Sequence, residues 1–275
     1  MVFTKNSDRP PGEVQVAWPF PRRASAGCTL RTQYLTIGDA GAHAALLSCP
    51  TSIWGAEHGV NEHGVAIGNE RVGTTHDAAA APPALIGMDL VRLGLERARS
   101  ADEAVDVIAG LLDACGQGGI ADATHQAAYD SSFLVADPTQ AFVLDTAGAD
   151  YAAARFPGGV AISNRLTLTT EWTRASAALG ADGDFSCYRD RGEDTAYADV
   201  RLAASRRFLQ GAPAGGLTAA ATAAHLRDHG TGPWGEPMRP TGTSTRRRLR
   251  HEPARTAAAG ASACMRAGSR SPPPR

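Results

Sequence analysis

The sequence lacks the features that mark several specialised protein classes. Its five cysteines include no CxxC pair, and an odd, scattered set predicts neither a disulfide framework nor a structural zinc site, which favours a reducing compartment. No run approaches the ~20 apolar residues that a membrane-spanning helix needs. The formal net charge is −1, so the charge balance indicates neither nucleic acid nor a membrane as a partner.

Several targeting and catalytic motifs are also missing. The first eight residues show no basic leader followed by an apolar run, so with Met1 as the true start a cytoplasmic protein is predicted. There is no Gly-x-Ser-x-Gly, and Gly118-Gly119 is not followed by the Gly-Lys-Ser/Thr of a phosphate loop. His58 and His63 are five residues apart among glycines, which is wrong for one helical face. We therefore predict no metal site and no cofactor.

Short β-type runs and turns fill the first 80 residues. Residues 29–37 are rich in β-branched and aromatic side chains and predict a strand. Residues 64–68 form a short apolar run that fits a buried strand. The Asn61-Glu62-His63-Gly64 tetrad before it suits a tight hairpin turn.

Residues 85–115 show helical spacing of apolar side chains. Ser100 followed by Glu103 is a capping box, so a second helix begins there. Cys115 lies on the apolar face of that helix, which predicts a packed core thiol rather than a reactive one. Gly116 can supply the left-handed residue that ends the helix.

The pattern returns to strands in residues 131–164, where short turns separate apolar runs and predict an antiparallel meander. Residues 197–210 and 218–227 look helical. Together the elements predict an α+β domain over residues 1–234. Residues 235–275 have no aromatic residue and are rich in arginine, alanine and proline, so a disordered tail is predicted. The abrupt loss of hydrophobic periodicity there also suggests a shifted reading frame.

A dispersed set of polar residues could carry chemistry. Residues 5–10 place Lys5, Asp8 and Arg9 just before a proline. Asn69, followed by Glu70, comes after one apolar run, and Asn164 ends another. Asparagine is disfavoured in strands, so these residues are either caps and turns or donors aimed at a pocket. Residue types alone favour the first interpretation.

The motifs taken together resemble the secernin and dipeptidase A family. The matching runs occur in the family's order and cover roughly residues 3–230. They are residues 5–10, 54–57, 61–70, 87–97, 116–119, 145–148 and 162–164.

This resemblance implies the αββα sandwich of N-terminal-nucleophile hydrolases, expected here to be incomplete at both ends. It implies a cysteine-type dipeptidase (an exopeptidase acting on small peptides) without a cofactor. In that chemistry, an N-terminal cysteine attacks an amide carbonyl, and its own α-amino group is the general base. Two donors hold the oxyanion.

The resemblance also assigns roles to individual residues. Lys5 matches a cationic position beside the nucleophile, where it would favour the thiolate. Asp8 matches the carboxylate that orients the α-amino group. Asn69 matches the oxyanion-hole asparagine, and Asn164 matches the asparagine that positions the amine and substrate. Arg9 and Glu70 lie next to these and are expected to line the substrate pocket.

The sequence departs from this family at the nucleophile. Four residues precede Lys5, and removal of Met1 would expose Val2, which has no nucleophilic atom. Cys28 lies past the motif. We therefore expect the nucleophile to be encoded upstream of Met1, and the 275 residues alone to show no dipeptide hydrolysis. The alternatives are a non-catalytic secernin-like binding or trafficking protein and an inactive gene remnant. Dipeptide specificity and oligomeric state are not predicted.

Overall fold

An eight-stranded antiparallel sheet organises the fold in this computed structural model, which describes residues 1–9, 12–192, 195–213 and 216–228. The strand order is β1-β4-β5-β6-β7-β8-β9-β10. These strands are β1 Gln15–Phe20, β4 Ala45–Pro50, β5 His58–Asn61, β6 Ala66–Val72, β7 Asp130–Ala136, β8 Ala141–Ala147, β9 Asp150–Phe156 and β10 Arg174–Ala175. The meander predicted for residues 131–164 is confirmed for β7 to β9, which pair in sequence.

Four α-helices accompany the sheet among the described residues: α1 Gly87–Arg97, α2 Ala101–Cys115, α3 Ala196–Gln210 and α4 Ala219–Leu226. All lie where the sequence predicts helices. Ser100 caps α2 by accepting the backbone N–H of Glu103 at 3.1 Å, and Gly116 follows the helix with a φ of 71°. The predicted Ser100 cap and the end of α2 at Gly116 are thus confirmed, because both signals depend on neighbouring residues only. The return bond of the capping box differs from the prediction: Glu103 accepts the backbone N–H of Arg99 at 2.8 Å.

The strand predicted over residues 29–37 is wrong. The segment folds instead into a two-stranded hairpin, β2 Thr29–Arg31 and β3 Thr36–Gly38. Thr32 makes the turn: its backbone N–H donates to the Leu35 carbonyl at 2.8 Å, and its hydroxyl accepts the Leu35 N–H at 3.2 Å. A β-branched residue here closes a turn through its hydroxyl group.

One face of the large sheet carries α1 and α2. Helix α1 packs on β5 and β6, and α2 packs on β7, β8 and β9. Leu47, Ile67, Phe133 and Leu144 point from the strands into this layer and are fully buried. The α+β class is confirmed, and a helical layer on a large antiparallel sheet is consistent with an αββα sandwich.

The opposite face of the sheet is covered unevenly. Val72 and Val143 pack there against Leu168 and Phe185 from the irregular segment after β9. Toward β4 and β5 the same face exposes apolar side chains, with Leu46 50% and Val60 39% accessible. Residues 1–9 cross this face near β5 and β6, and they carry several of the predicted site residues.

Two further details correct the sequence interpretation. Strand β6 continues through Asn69 to Val72, so Asn69 lies within a strand and not after its end. Residues 160–163 form no strand, so Asn164 lies in irregular backbone. The tail predicted to be disordered, residues 235–275, lies outside the described residues, and the domain boundary after residue 234 stays a prediction. Within the described part of the chain, no helix combines the length and apolarity needed to cross a membrane.

Candidate functional site

The N-terminal segment lies directly against strand β6. A Cβ atom added to Gly68 would lie 2.9 Å from Cδ of Lys5 and 3.3 Å from the Phe3 ring. A larger residue at this position would force the Lys5 side chain to shift, so glycine allows this close approach. Further along, the Ser7 hydroxyl lies 3.5 Å from Nδ1 of His58, and the Gln15 amide donates to the Ser7 hydroxyl at 3.2 Å.

Lys5 is buried against two carboxylates. Its Nζ lies 3.2 Å from Oε1 of Glu70 and 3.9 Å from Oε2 of Glu57, and only 6% of its side chain is exposed. Burial raises the pKa of both glutamates, whereas the nearby Lys5 ammonium lowers it. A buried lysine is costly unless it is paired, so these ion pairs are what hold the cation at this point of the sheet.

Arg9 extends the charged group toward the end of the sheet. Its guanidinium binds Glu13 through two nitrogens at 2.7 and 3.2 Å and reaches Oε1 of Glu57 at 3.2 Å. Glu57 thereby links Arg9 to Lys5. Tyr129 lies at the same end: burial raises the pKa of its hydroxyl, and the Glu57 charge raises it further.

His58 lies beside Lys5 and stays neutral near pH 7. Burial lowers the pKa of its imidazole to about 4, and the Lys5 ammonium contributes to the decrease. A neutral imidazole 3.5 Å from the Ser7 hydroxyl can accept or donate a hydrogen bond according to its tautomer. His58 therefore adds a polar, uncharged group to the wall that faces residues 5–9.

Asn164 binds the end of strand β6 and helix α3. Its amide nitrogen donates to the Arg71 carbonyl at 3.1 Å, and its amide oxygen accepts from the Arg201 guanidinium at 2.7 Å. Burial dominates the raised pKa of Glu70, but the Arg201 charge lowers this pKa and the exposed Asp8 carboxylate raises it. Lys5, Asp8 and Glu70 are thus electrostatically coupled. Arg201 links Asn164 to this group, and Glu57 links Arg9 to it.

Asn69 is not part of this group. It precedes Glu70 on β6, and consecutive strand residues point to opposite faces. Its Nδ2 lies 3.5 Å from the Ser131 hydroxyl and 3.6 Å from the Met88 sulfur, beneath the start of α1. Only 1% of the residue is exposed, and Oδ1 has no hydrogen-bond partner among the described atoms. The structure therefore separates Asn69 from Lys5, Asp8 and Asn164, and its oxyanion role stays a prediction.

The four described cysteines lie on other elements. Cys28 is exposed, with its sulfur 3.9 Å from Asp39, and Cys187 is exposed in a short 3-10 helix. Cys49 packs against the helical layer, and burial raises the pKa of its thiol. Cys115 packs against the same layer, which confirms its prediction as a core thiol.

An open cavity of about 480 Å³ adjoins the charged group. Glu13, which binds Arg9, is part of its wall and also accepts from the Ser52 hydroxyl at 3.1 Å. Small and polar side chains dominate the lining. The residues are Gly12, Glu13, Val14, Thr51, Ser52, Ala123 and Thr124.

Sequence reasoning did not single out Glu57, Glu13, His58 or Arg201 as parts of this group. A signal existed for two of them. Glu57 ends the matching run of residues 54–57, and Glu13 follows Arg9 by four residues. Arg201 is contributed by a helix far along the chain, and nothing in its local sequence marks it.

A model of a known family matches part of the chain. Residues 28–139 match the family described as acyl-coenzyme A:6-aminopenicillanic acid acyl-transferase. This match supports the N-terminal-nucleophile hydrolase superfamily and does not single out the secernin family. It includes Asn69 and Glu70, begins after Lys5, Asp8 and Arg9, and ends before Asn164.

Solved structures show distant similarity. Penicillin V acylase from Agrobacterium tumefaciens is 15% identical with a TM-score of 0.36, over 51% of this chain and 41% of that one. A variant of conjugated bile acid hydrolase from Clostridium perfringens is 12% identical with a TM-score of 0.37, over 56% and 46%. A mutant of the same hydrolase is 10% identical with a TM-score of 0.42, over 78% and 72%. The chain thus spans less than half of the first two structures.

Proposed function

We propose that this chain belongs to an amide-bond hydrolase whose nucleophile is an N-terminal cysteine located upstream of residues 3–9. The observation that supports this most strongly is the buried Lys5, held by Glu70 and Glu57 on the sheet face that residues 1–9 cross. Buried charged groups with shifted pKa values concentrate at functional sites. Asp8, assigned by resemblance, acts on the Glu70 charge, and Asn164, also assigned by resemblance, accepts a hydrogen bond from Arg201, which acts on the same carboxylate.

The proposed reaction has two steps. The cysteine Sγ attacks the amide carbonyl carbon while its α-amino group takes the thiol proton and passes it to the leaving amine. Water then hydrolyses the thioester, which releases the acid and restores the thiol. Lys5 favours the thiolate by its positive charge. Asp8 orients the α-amino group, and Asn164 positions this amine and the substrate.

Asn69 is the weakest assignment in this scheme. An oxyanion donor must point at the developing charge, and the Asn69 amide faces Ser131 and Met88 beneath α1. In the proposed enzyme this side chain therefore either changes rotamer or only supports the wall. Substituting Asn69 and Asn164 separately distinguishes a donor from a supporting residue, since loss of one oxyanion donor costs roughly 100- to 1,000-fold in kcat.

We infer small peptides, dipeptides first, as the substrates. The cavity beside Arg9 and Glu13 is lined by Thr51, Ser52 and Thr124 together with small residues. Hydroxyl groups and carboxylates suit a short polar peptide better than a large apolar ligand, since apolar ligands need predominantly apolar walls.

The test uses the complete native protein and a panel of dipeptides, penicillin V and a glycine-conjugated bile acid. We expect dipeptide turnover, with kcat reduced at least ~100-fold by Asp8→Asn or Asn164→Ala. The matched control is Asp77→Asn, which alters an exposed aspartate whose side chain accepts the Ala80 N–H. Turnover of penicillin V alone would refute the dipeptide assignment. Unchanged kcat in Asp8→Asn and Asn164→Ala would refute the site.

A non-catalytic protein of the same fold is the second candidate. The orientation of Asn69 toward α1 favours it, because a binding protein needs no oxyanion donor. It predicts a folded native protein that hydrolyses no amide in the panel. Turnover that iodoacetamide abolishes would exclude it.

A further inference from the structure

A second polar cluster lies at the far end of strand β5. His58 begins this strand and Glu62 follows it, so about 13 Å of backbone separates the cluster from the Lys5 group. Nε2 of His63 lies 3.2 Å from Nδ1 of His43, and the two rings are nearly perpendicular at 85°. Oε1 of Glu62 lies 3.8 Å from the same nitrogen of His43. All three donor atoms lie within 4.8 Å of one another.

Asn61 holds the hairpin turn that carries Glu62 and His63. Its side-chain oxygen accepts the backbone N–H groups of His63 at 3.0 Å and Val65 at 3.1 Å. Its amide nitrogen donates to the carbonyls of Leu95 at 2.9 Å and Ala98 at 2.7 Å. Every polar atom of this buried side chain is used, so the turn is fixed to the end of α1.

The segment that carries His43 is held just as firmly. The His43 N–H donates to the Glu96 carbonyl at 2.7 Å, and the Glu62 N–H donates to the Ala44 carbonyl at 2.8 Å. The Ala44 N–H donates back to Oε1 of Glu62 at 2.7 Å. Arg22 binds the other carboxylate oxygen at 2.9 Å. Two separate stretches of chain thus present their side chains to one point.

We propose that His43, His63 and Glu62 bind one divalent transition-metal ion of the zinc class. Two ligand atoms about 2.0–2.1 Å from a tetrahedral Zn²⁺ lie about 3.3 Å apart, close to the 3.2 Å between the two ring nitrogens. Oε1 of Glu62 lies 3.8 Å from the His43 nitrogen and within 4.8 Å of the His63 nitrogen, so the Glu62 side chain has to move inward by roughly 0.5–1.5 Å to reach the same spacing. Imidazole favours Zn²⁺, Co²⁺ and Ni²⁺ over Mg²⁺ and Ca²⁺.

With three protein ligands, a tetrahedral ion would keep its fourth position for water. The ion would link the hairpin turn, which carries Glu62 and His63, to the loop before β4, which carries His43. A histidine–histidine hydrogen bond is the competing interpretation of the same 3.2 Å contact. The two differ in a measurable way. A hydrogen-bonded pair needs no metal and gains no stability when one is added. A metal site is stabilised by the ion, and the gain rises with the logarithm of the ratio of ion concentration to Kd.

The test titrates the full 275-residue chain with Zn²⁺ by calorimetry and with Co²⁺ by visible absorption. We expect one ion per chain and a higher melting temperature with Zn²⁺ than with Mg²⁺. His43→Ala and His63→Ala should each weaken Zn²⁺ binding at least ~10-fold. The matched control is His125→Ala, since His125 is exposed and pairs with Asp122 away from this cluster. The Zn²⁺ affinity of His125→Ala should equal that of the wild type.

Absence of Zn²⁺ binding, or equal affinity in all three histidine variants, would overturn the proposal. A measurement on the unmodified chain covers the case in which a variant does not fold. Diethyl pyrocarbonate modifies accessible imidazoles, and peptide mass spectrometry locates the modified residues. Zn²⁺ should protect His43 and His63 but not His125; uniform modification with and without Zn²⁺ would contradict the site.

Discussion

At the scale of single residues, the buried cation Lys5 offers the most direct test of the proposed site. Its side chain is 6% exposed and lies between Glu70 and Glu57. Removing one partner of a buried ion pair leaves an uncompensated charge. The stability of the N-terminal segment on β6 should therefore depend on this ammonium group.

We predict that Lys5→Met lowers the free energy of unfolding by about 3 kcal/mol at neutral pH, measured by urea denaturation. Adding Glu70→Gln should recover part of this loss, because it removes the Glu70 carboxylate that Lys5→Met leaves unpaired. Arg22→Met is the matched control, since Arg22 is 57% exposed in its pair with Glu62 and should cost less than ~1 kcal/mol. Equal losses for Lys5→Met and Arg22→Met would contradict the buried ion pair.

At the scale of elements, helix α1 contains an unusual buried acid. Asp89 is fully buried in the first turn, where one carboxylate oxygen accepts the Ile86 N–H at 3.2 Å and the other has no partner among the described atoms. Burial raises its pKa to about 7 from an ordinary 3.8, although the Ile86 and Gln33 N–H groups and Arg92 oppose the change. The helix dipole favours an anion here, but burial prevails.

This raised pKa makes stability depend on pH. The unfolded carboxyl ionises above about pH 4 and the folded one only above about pH 7, so Asp89 destabilises the fold progressively as pH rises between these values. We predict that the stability of Asp89→Asn relative to wild type improves by up to about 4 kcal/mol between pH 4 and pH 8, measured by urea denaturation at each pH. Asp113→Asn controls for losing a carboxylate on an exposed helical position. A pH-independent difference for Asp89→Asn would contradict the raised pKa.

Local signals explain which elements were predictable. The Asn61–Gly64 turn and the Ser100 cap depend on residues next to one another, and both are confirmed. The hairpin in residues 29–37 was missed because the Thr32 hydroxyl closes a turn where β-branched composition predicts a strand. The strand predicted over residues 160–163 is wrong, because these residues form irregular backbone.

At the scale of the whole molecule, the sequence pattern could not assign faces or bring distant segments together. Asn69 was expected to face a pocket, but continuation of β6 to Val72 turns its side chain toward α1. Arg201 meets Asn164 from α3, and His43 meets His63 across 20 residues. On the opposite side of the sheet, by contrast, ion pairs, hydrogen bonds and charge interactions through Glu57 and Arg201 link the other five predicted residues, which are Lys5, Asp8, Arg9, Glu70 and Asn164.

The measurement that tests the central claim most directly combines the N-terminal residue and the activity of the complete native protein. The account predicts that peptide mass spectrometry finds a cysteine as the mature N-terminus and that iodoacetamide abolishes dipeptide hydrolysis. The 275-residue chain, whose residues 1–9 supply Lys5 and Asp8 but no thiol, should show no turnover under the same conditions. A mature N-terminus other than cysteine, or hydrolysis that persists after iodoacetamide, would contradict the account.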